Sequence, residues 1–449
     1  MQAQPPVVMP GEFFYGNMRQ FNRDTLHFMY ESRNYGDFVK FFFGPFPVYI
    51  ANHPDVAHEV FVTKADHFYK SRVTKQVMKS TVGDGLFTND GDSWKRQRKL
   101  AQPAFHTKRI AAYADVMTQY ASQLIAGWRD NAPLDMEREM TALTMQIVGK
   151  TLFDAAISEE DATGTAVRTV LRAIDKRFSQ LIPTPEWLPL RENRDMKAAQ
   201  KHLDSVIQTF IQERRQTGED RGDLLSMLLL AQDENHGGMS DQQLRDEVMT
   251  IFGAGHETTS GALTWALYLL SQHPEVAAQL HAEIDSVLGD RLPTYADLAR
   301  LPWTDMIIKE AMRLYPPAWG VTREVIAPVS IHNYPLRQGV TVFINIIGIH
   351  HDERFYENPN EFIPERFSPD NEKNIPKYAY LPFGAGPRVC IGNSFAMMEA
   401  RLLLATIAQK FTLSLAPEQV VVPERVFTLR PKFGMKMVAH VRQAALHMA

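Results

Sequence analysis

Residues 383–392 read Phe-Gly-Ala-Gly-Pro-Arg-Val-Cys-Ile-Gly, and Cys390 is the only cysteine among 449 residues. No intrachain disulfide is open to it. The pattern from Asn393 through Glu399 predicts a helix. Cys390 therefore sits near free N–H groups and the positive end of a helix dipole, and Arg388 adds a cation; all of these favour a thiolate. A lone cysteine is more often inert core than a ligand. Here the loop from Phe383 carries Gly384, Gly386 and Gly392, whose missing side chains leave room for a flat group against the backbone. A buried thiolate without a metal is costly, and one thiolate with no Cys or His beside it makes no tetrahedral zinc site. A haem iron suits it, because the porphyrin supplies four ligands and needs one axial sulfur.

A second constellation lies mid-chain. Ser240 and Gln243 form a capping-box pattern, and no proline follows until Pro274, which predicts a helix of about 33 residues and ~50 Å. Its middle, Phe252-Gly253-Ala254-Gly255-His256-Glu257-Thr258-Thr259-Ser260-Gly261, sets glycines and hydroxyls where propensity asks for Ala or Leu. Helical spacing puts Ala254, Glu257 and Thr258 on one face. Either small residues let another helix pass close by, or an acid and an alcohol are presented together for proton transfer.

The elements that must hold these residues are mostly helical. Spacings of three and four run through Trp94 to Trp128, Leu134 to Phe153, Ala198 to Arg215 and Asp223 to Asp233. Strand-like pieces lie at Val39 to Phe43, Pro47 to Ile50, Val340 to Ile344 and from Phe433. With 45% hydrophobic and 22% charged residues the chain has material for a large core, and a net charge of −4 gives no general attraction for nucleic acid. Its 26 Phe and 20 Met fill core or surround an apolar cavity. Met1 to Gly11 holds neither a membrane span nor a signal peptide, so a cytoplasmic protein is expected. No repeat or linker divides the sequence, and a single domain over residues 1–449 is the simplest expectation.

Phe383, Gly386, Arg388, Cys390 and Gly392 match Phe-x-x-Gly-x-Arg-x-Cys-x-Gly, so the sequence resembles the cytochrome P450 family. Further motifs follow in the family's order. Ala254 to Thr259 is similar to its oxygen-activating stretch, Glu310 and Arg313 to Glu-x-x-Arg, Pro364 to Phe367 to Pro-Glu-Arg-Phe, and Trp94 and Arg98 to its Trp-x-x-x-Arg. The resemblance implies a mainly α fold with small β-sheets. Haem b (iron protoporphyrin IX) would lie between the long central distal helix and the proximal cysteine-loop helix. Cys390 would be the iron ligand, and Trp94, Arg98, Arg323 and Arg388 would hold the propionates. Phe383, Gly384, Gly386, Gly392 and Ala254 would bed the ring. Glu257 and Thr258 would carry protons, Glu310, Arg313 and Arg366 would form a structural triad, and the pocket would be lined by Leu86, Phe87, Ala254, Ala318, Trp319, Val321 and Phe427.

The implied activity is that of an O2-activating monooxygenase that hydroxylates or epoxidises a hydrophobic small molecule such as a fatty acid, terpenoid or steroid. Two alternatives stand beside it, a peroxide-using haem-thiolate enzyme and a haem gas sensor; the Glu257–Thr258 pair favours O2 chemistry. Electrons would come from a separate ferredoxin or flavodoxin with its reductase, docking on Lys95, Arg96, Lys99, Lys108 and Arg109.

Overall fold

Apolar spacing and proline placement account for the helices in a computed structural model that describes residues 5–158, 161–180, 184–234 and 237–442. The first four residues of the Met1 to Gly11 stretch and the last seven of the chain lie outside this description. The helices that position the site are α1 (Gly91–Ala101), α2 (Met136–Phe153), α3 (Ala162–Ser179), α4 (Arg191–Thr217), α5 (Asp241–Gln272), α6 (Pro302–Leu314) and α7 (Asn393–Lys410). The segment expected to run from Trp94 to Trp128 is instead divided: α1 ends at Ala101, and Pro103 lies in the 3-10 turn Gln102–Phe105. Proline lacks the N–H that would continue the ladder. Leu134 belongs to the strand Ala132–Asp135, and Asp135 caps α2 by accepting from the Arg138 N–H.

The 32-residue α5 is the axis of the molecule. Ser240 caps it by accepting from the Gln243 N–H at 3.2 Å. The reciprocal half of the capping box does not form, because the Gln243 side chain accepts from Arg96 Nη1 at 3.4 Å instead. Packing along α2 explains one of the unusual glycines: a Cβ on Gly255 would lie 3.2 Å from Val148, whereas Gly253 meets nothing within 4 Å. Further along, Trp265 is wholly buried, stacks on Tyr315 at 4.0 Å and donates to the Leu429 carbonyl at 3.0 Å.

Six strands form the main sheet: β1 (Val7–Val8), β2 (Phe38–Phe43), β3 (Phe46–Ala51), β4 (Phe68–Lys70), β5 (Val321–Val325) and β6 (Thr341–Ile344), in the order β1-β2-β3-β6-β5-β4. The antiparallel register of β4 and β5 sets Lys70 opposite Arg323. Farther on, β7 (Pro423–Arg425) and β8 (Leu429–Pro431) make a two-stranded hairpin that pairs Glu424 with Arg430. The strand expected from Phe433 begins at Lys436 and joins Phe411–Leu415 and Ala132–Asp135 in a third sheet.

An ion cluster built on the fully buried Glu310 and Arg313 ties α6 to the chain leading to the cysteine loop. Arg313 grips Glu310 with two bonds of 2.7 and 2.8 Å, and Arg366, from the turn Pro364–Phe367, reaches Glu310 Oε1 at 3.3 Å. Arg313 also donates to the carbonyls of His350, Pro359 and Glu361, at 2.7, 2.7 and 3.1 Å. No donor of Arg313 need go unpaired, which is what makes burial of both charges sustainable.

Candidate active site

The cysteine loop owes its path to glycine. Gly384 and Gly386 have φ of +68° and +70°, and a Cβ on Gly386 would come within 1.8 Å of the Phe61 carbonyl oxygen. The turn Gly386–Arg388 follows, the Cys390 N–H donates to the Phe383 carbonyl at 3.0 Å, and Gly392 caps α7. Cys390 is exposed along one side and packed by protein on the others. Burial pushes its thiol up, opposed by the Gly392 N–H and by the charges of Arg98 and Lys70. Arg388 is not the helpful cation that the sequence suggested. It pairs with Asp90, donates to the Asn89 carbonyl at 2.7 Å, and lies 3.9 Å over the Trp94 ring.

A second feature fits a bound dianion. Lys70, Arg323 and Arg388 crowd together with Asp90 as the carboxylate among them. Burial and the neighbouring guanidinium groups hold Lys70 well below the usual lysine range and bring Arg323 down to about 10. Arg98, one α1 turn beyond Trp94, donates to the Val389 carbonyl at 2.9 Å and so braces the loop one residue before the sulfur. Excess buried positive charge next to a thiol on a glycine bed is what a porphyrin with two propionates requires. Among the described residues no group of three His, Cys, Asp or Glu could hold a metal by itself. Lys70 was missed in the sequence; only its pairing with Arg323 across β4 and β5 marks it.

On α5, hydroxyl side chains turn back onto the helix. Thr258 Oγ1 donates to the Ala254 carbonyl at 2.8 Å and Thr259 to Gly255 at 3.2 Å, while Thr144 of α2 donates to the His256 carbonyl at 3.0 Å. Such bonds compete with the helical ladder and loosen it locally. Glu257 Oε1 accepts from Thr428 Oγ1 at 2.8 Å. Burial, with Asp175 nearby, pushes the Glu257 carboxyl up to about 7. Behind this stretch, Glu399 of α7 is wholly buried with neither oxygen hydrogen-bonded, and burial raises it to about 8. Thr259 faces it but gives its proton to Gly255.

The expected pocket residues divide. Leu86, Phe87 and Phe427 share one apolar cluster, with Phe427 at 5.8 Å from Phe87 and 5.7 Å from Phe178, a residue that the sequence did not single out. Ala254 is exposed on α5, and Ala318 is partly exposed. Val321 packs against the β-sheet core. Trp319 is buried in a separate cluster against Phe343 at 5.4 Å, and its indole donates to the Val426 carbonyl at 3.4 Å. Gly320 dictates this, since the main chain there passes so close to Phe343 that a Cβ would lie 2.2 Å from its ring.

A family model described as Cytochrome P450 matches residues 5–437. The chain is a cytochrome P450. Among curated relatives, "Cyclooctatin synthase" of Streptomyces melanosporofaciens is 38% identical over 412 residues, 91% of this P450 and 89% of that protein. "Pentalenene oxygenase" of Streptomyces avermitilis is 34% identical over 421 residues, 92% of each. The crystal structure of the cytochrome P450DA heme domain matches the P450 with a TM-score of 0.91 and 29% identity over 99% of both chains. The mainly α fold with small sheets expected from the sequence is the fold observed. The P450 is a haem-dependent monooxygenase that uses O2, a hydrophobic substrate and electrons from a redox partner. Among the described residues, no helix is long and apolar enough to cross a membrane.

On the surface next to α1, the P450 has a concave face lined by Trp94, Lys95, Arg98, Lys99, Gln102, Pro103, His106, Lys108 and Arg109. Four of the five cations expected to dock a donor lie here. Arg96 does not: it bonds Asp233 at 2.7 Å and the Gly238 carbonyl at 3.1 Å, fastening α1 to the segment before α5.

Proposed function

We propose that this P450 hydroxylates or epoxidises a cyclic terpenoid, with haem b ligated by Cys390 and electrons delivered by an acidic ferredoxin or flavodoxin at the basic face. A single haem domain over residues 1–449 is part of the reading, supported by a family match and a structural match of nearly full length. The observation that carries the substrate class is the aromatic group in which Phe427 meets both Phe87 and Phe178, in the same apolar cluster as Leu86, an apolar wall suited to a compact hydrocarbon. Its charged neighbours are engaged: Lys70 lies 4.5 Å over the Phe87 ring, and Asp175 accepts the Phe427 N–H at 3.0 Å. The relatives named for cyclooctatin and pentalenene point the same way. A fatty acid would ask for a free cation at the pocket wall, and the sequence placed none there convincingly.

Thiolate-bound haem supplies O2 binding and O–O cleavage. The chain's residues prepare that chemistry. Gly384, Gly386 and Gly392, with Phe383, would bed the ring, while Trp94, Arg98, Arg323 and Arg388, together with Lys70, would hold its propionates. Ala254 leaves the facing side of α5 free of bulk. Thr258 keeps hydroxyl lone pairs free while its proton rests on the Ala254 carbonyl, so it is able to accept a hydrogen bond from a passing proton carrier. Glu257, near 7, both takes and gives protons at neutral pH.

Thr258→Ala tests the assignment. Product formation should fall by about 10²-fold while reductant is still consumed, with peroxide accounting for the difference. Loss of reductant consumption in step with product, without extra peroxide, would remove the hydroxyl from proton delivery. The donor face is tested by the triple variant Lys95→Glu, Lys108→Glu, Arg109→Glu. Lys108 and Arg109 make no ion pair among the described residues, and Lys95 only an exposed one with Asp92. Ferric reduction by an acidic ferredoxin should slow about tenfold at low salt and converge with the parent at high salt, with haem content unchanged. Equal rates at low salt would place the donor elsewhere.

A further inference from the structure

The hairpin of β7 and β8 ends in three residues, 426–428, each fixed to a different part of the molecule. The Val426 carbonyl accepts from the Trp319 indole at 3.4 Å, and the Val426 N–H closes the turn on the Thr428 carbonyl at 3.0 Å. Phe427 presents its ring to Phe87 and Phe178 and its N–H to Asp175 on α3. Thr428 is buried, and its hydroxyl donates to Glu257 Oε1 at 2.8 Å. The following Leu429 is pinned by its N–H to the Pro317 carbonyl at 3.1 Å and by its own carbonyl to Trp265. The tip is thus held at both ends, and a donor is held against the one acid of the α5 motif.

We propose that Thr428 is a positioning residue for Glu257, holding its carboxylate on the same hairpin tip that carries the pocket residue Phe427. The proposal rests on the reading of Glu257 as proton carrier and adds what orients it. Glu257 is faced by Asp175 of α3 and Glu137 of α2, which make its ionisation harder, and by Arg430 of β8 and the Thr428 hydroxyl, which ease it. Arg430 is shared: it lies 3.6 Å from Asp175 and 4.0 Å from Glu424. Of the groups favouring the charged form, Thr428 is the one in direct hydrogen-bond contact with Glu257. Without that donor the carboxylate loses its anchor and its main local stabilisation, and the proton binds more tightly.

The experiment is an infrared pH titration of the ferric holoenzyme, in which the protonated carboxyl band of Glu257 is identified by its disappearance in Glu257→Gln. Thr428→Val keeps the shape and removes the hydroxyl. We expect the midpoint of that band to rise by about one pH unit, and the pH at which product yield per reductant falls to rise with it. Thr428→Ser, which restores the donor, should return both towards the parent. An unchanged midpoint in Thr428→Val would overturn the proposal, as would a shift that Thr428→Ser fails to reverse, because then packing and not the hydroxyl matters. Failure of the underlying reading looks different: Glu257→Gln would leave product yield per reductant unaltered, whatever Thr428 does to the band.

Discussion

Cys390→His abolishes the red-shifted absorption band of the reduced carbon monoxide adduct from which the family takes its name. The effect should be complete, since Cys390 is the chain's only sulfur able to act as a thiolate. In the protein alone, burial keeps this thiol protonated against the pull of the Gly392 N–H, Arg98 and Lys70. Coordination to a metal reverses that balance outright. Histidine is a neutral donor, so any iron it binds loses the electron density that thiolate pushes toward oxygen. Turnover should fall to background even where haem is retained. The check is the difference spectrum alongside haem content per chain, and a surviving red-shifted band would require a different ligand.

The second large effect concerns stability. Arg313→Leu leaves Glu310 buried with only Arg366 at 3.3 Å and the Ile363 N–H at 3.0 Å, and strands the carbonyls of His350, Pro359 and Glu361. Removing one partner of a buried pair costs about 3–5 kcal/mol, a large share of the stability of a typical domain. Haem loading should collapse with it, because Arg366 and its turn lead directly into the chain that delivers the cysteine loop. Arg313→Lys should rescue little, since an ammonium cannot reproduce the forked grip and the three carbonyl contacts. Glu310→Leu combined with Arg313→Leu should recover part of the loss, because the fully buried carboxylate is removed with its partner and only Arg366, at the cluster's edge and still bonded to the Asn358 carbonyl, is left without an ion pair. Denaturation midpoints and haem absorbance per chain measure both, and a loss under about 1 kcal/mol for Arg313→Leu would mean that the cluster is not structural.

What the sequence disclosed was local. The glycine pattern around Cys390, the cap at Ser240 and the Glu310–Arg313 spacing each lie within a few residues, and each appears in the structure where expected. Pro103 was equally visible and should have divided the stretch after Trp94. Groups assembled across the chain were not legible. Lys70 joins the cation cluster only through strand register with Arg323, some 250 residues away. Phe178 and Thr428 reach the pocket and Glu257 from α3 and a late hairpin, and no motif marks either. Trp319 was placed by its position after α6, but side-chain direction there is set by the close passage of Gly320 past Phe343. Arg388 had the right type and spacing, yet Asp90 and Trp94 decide where its charge rests.

Glu399 makes unfolding a proton-releasing event. Folded, its carboxyl holds its proton up to about pH 8, whereas unfolded it returns to the ordinary 4.5. Below pH 4.5 both states are protonated and the residue is neutral to the balance. Between 4.5 and 8 only the unfolded chain ionises freely, so stability declines with rising pH by about 1.4 kcal/mol per unit, and above 8 the full penalty stands. This residue alone therefore tilts the stability curve toward the acid side.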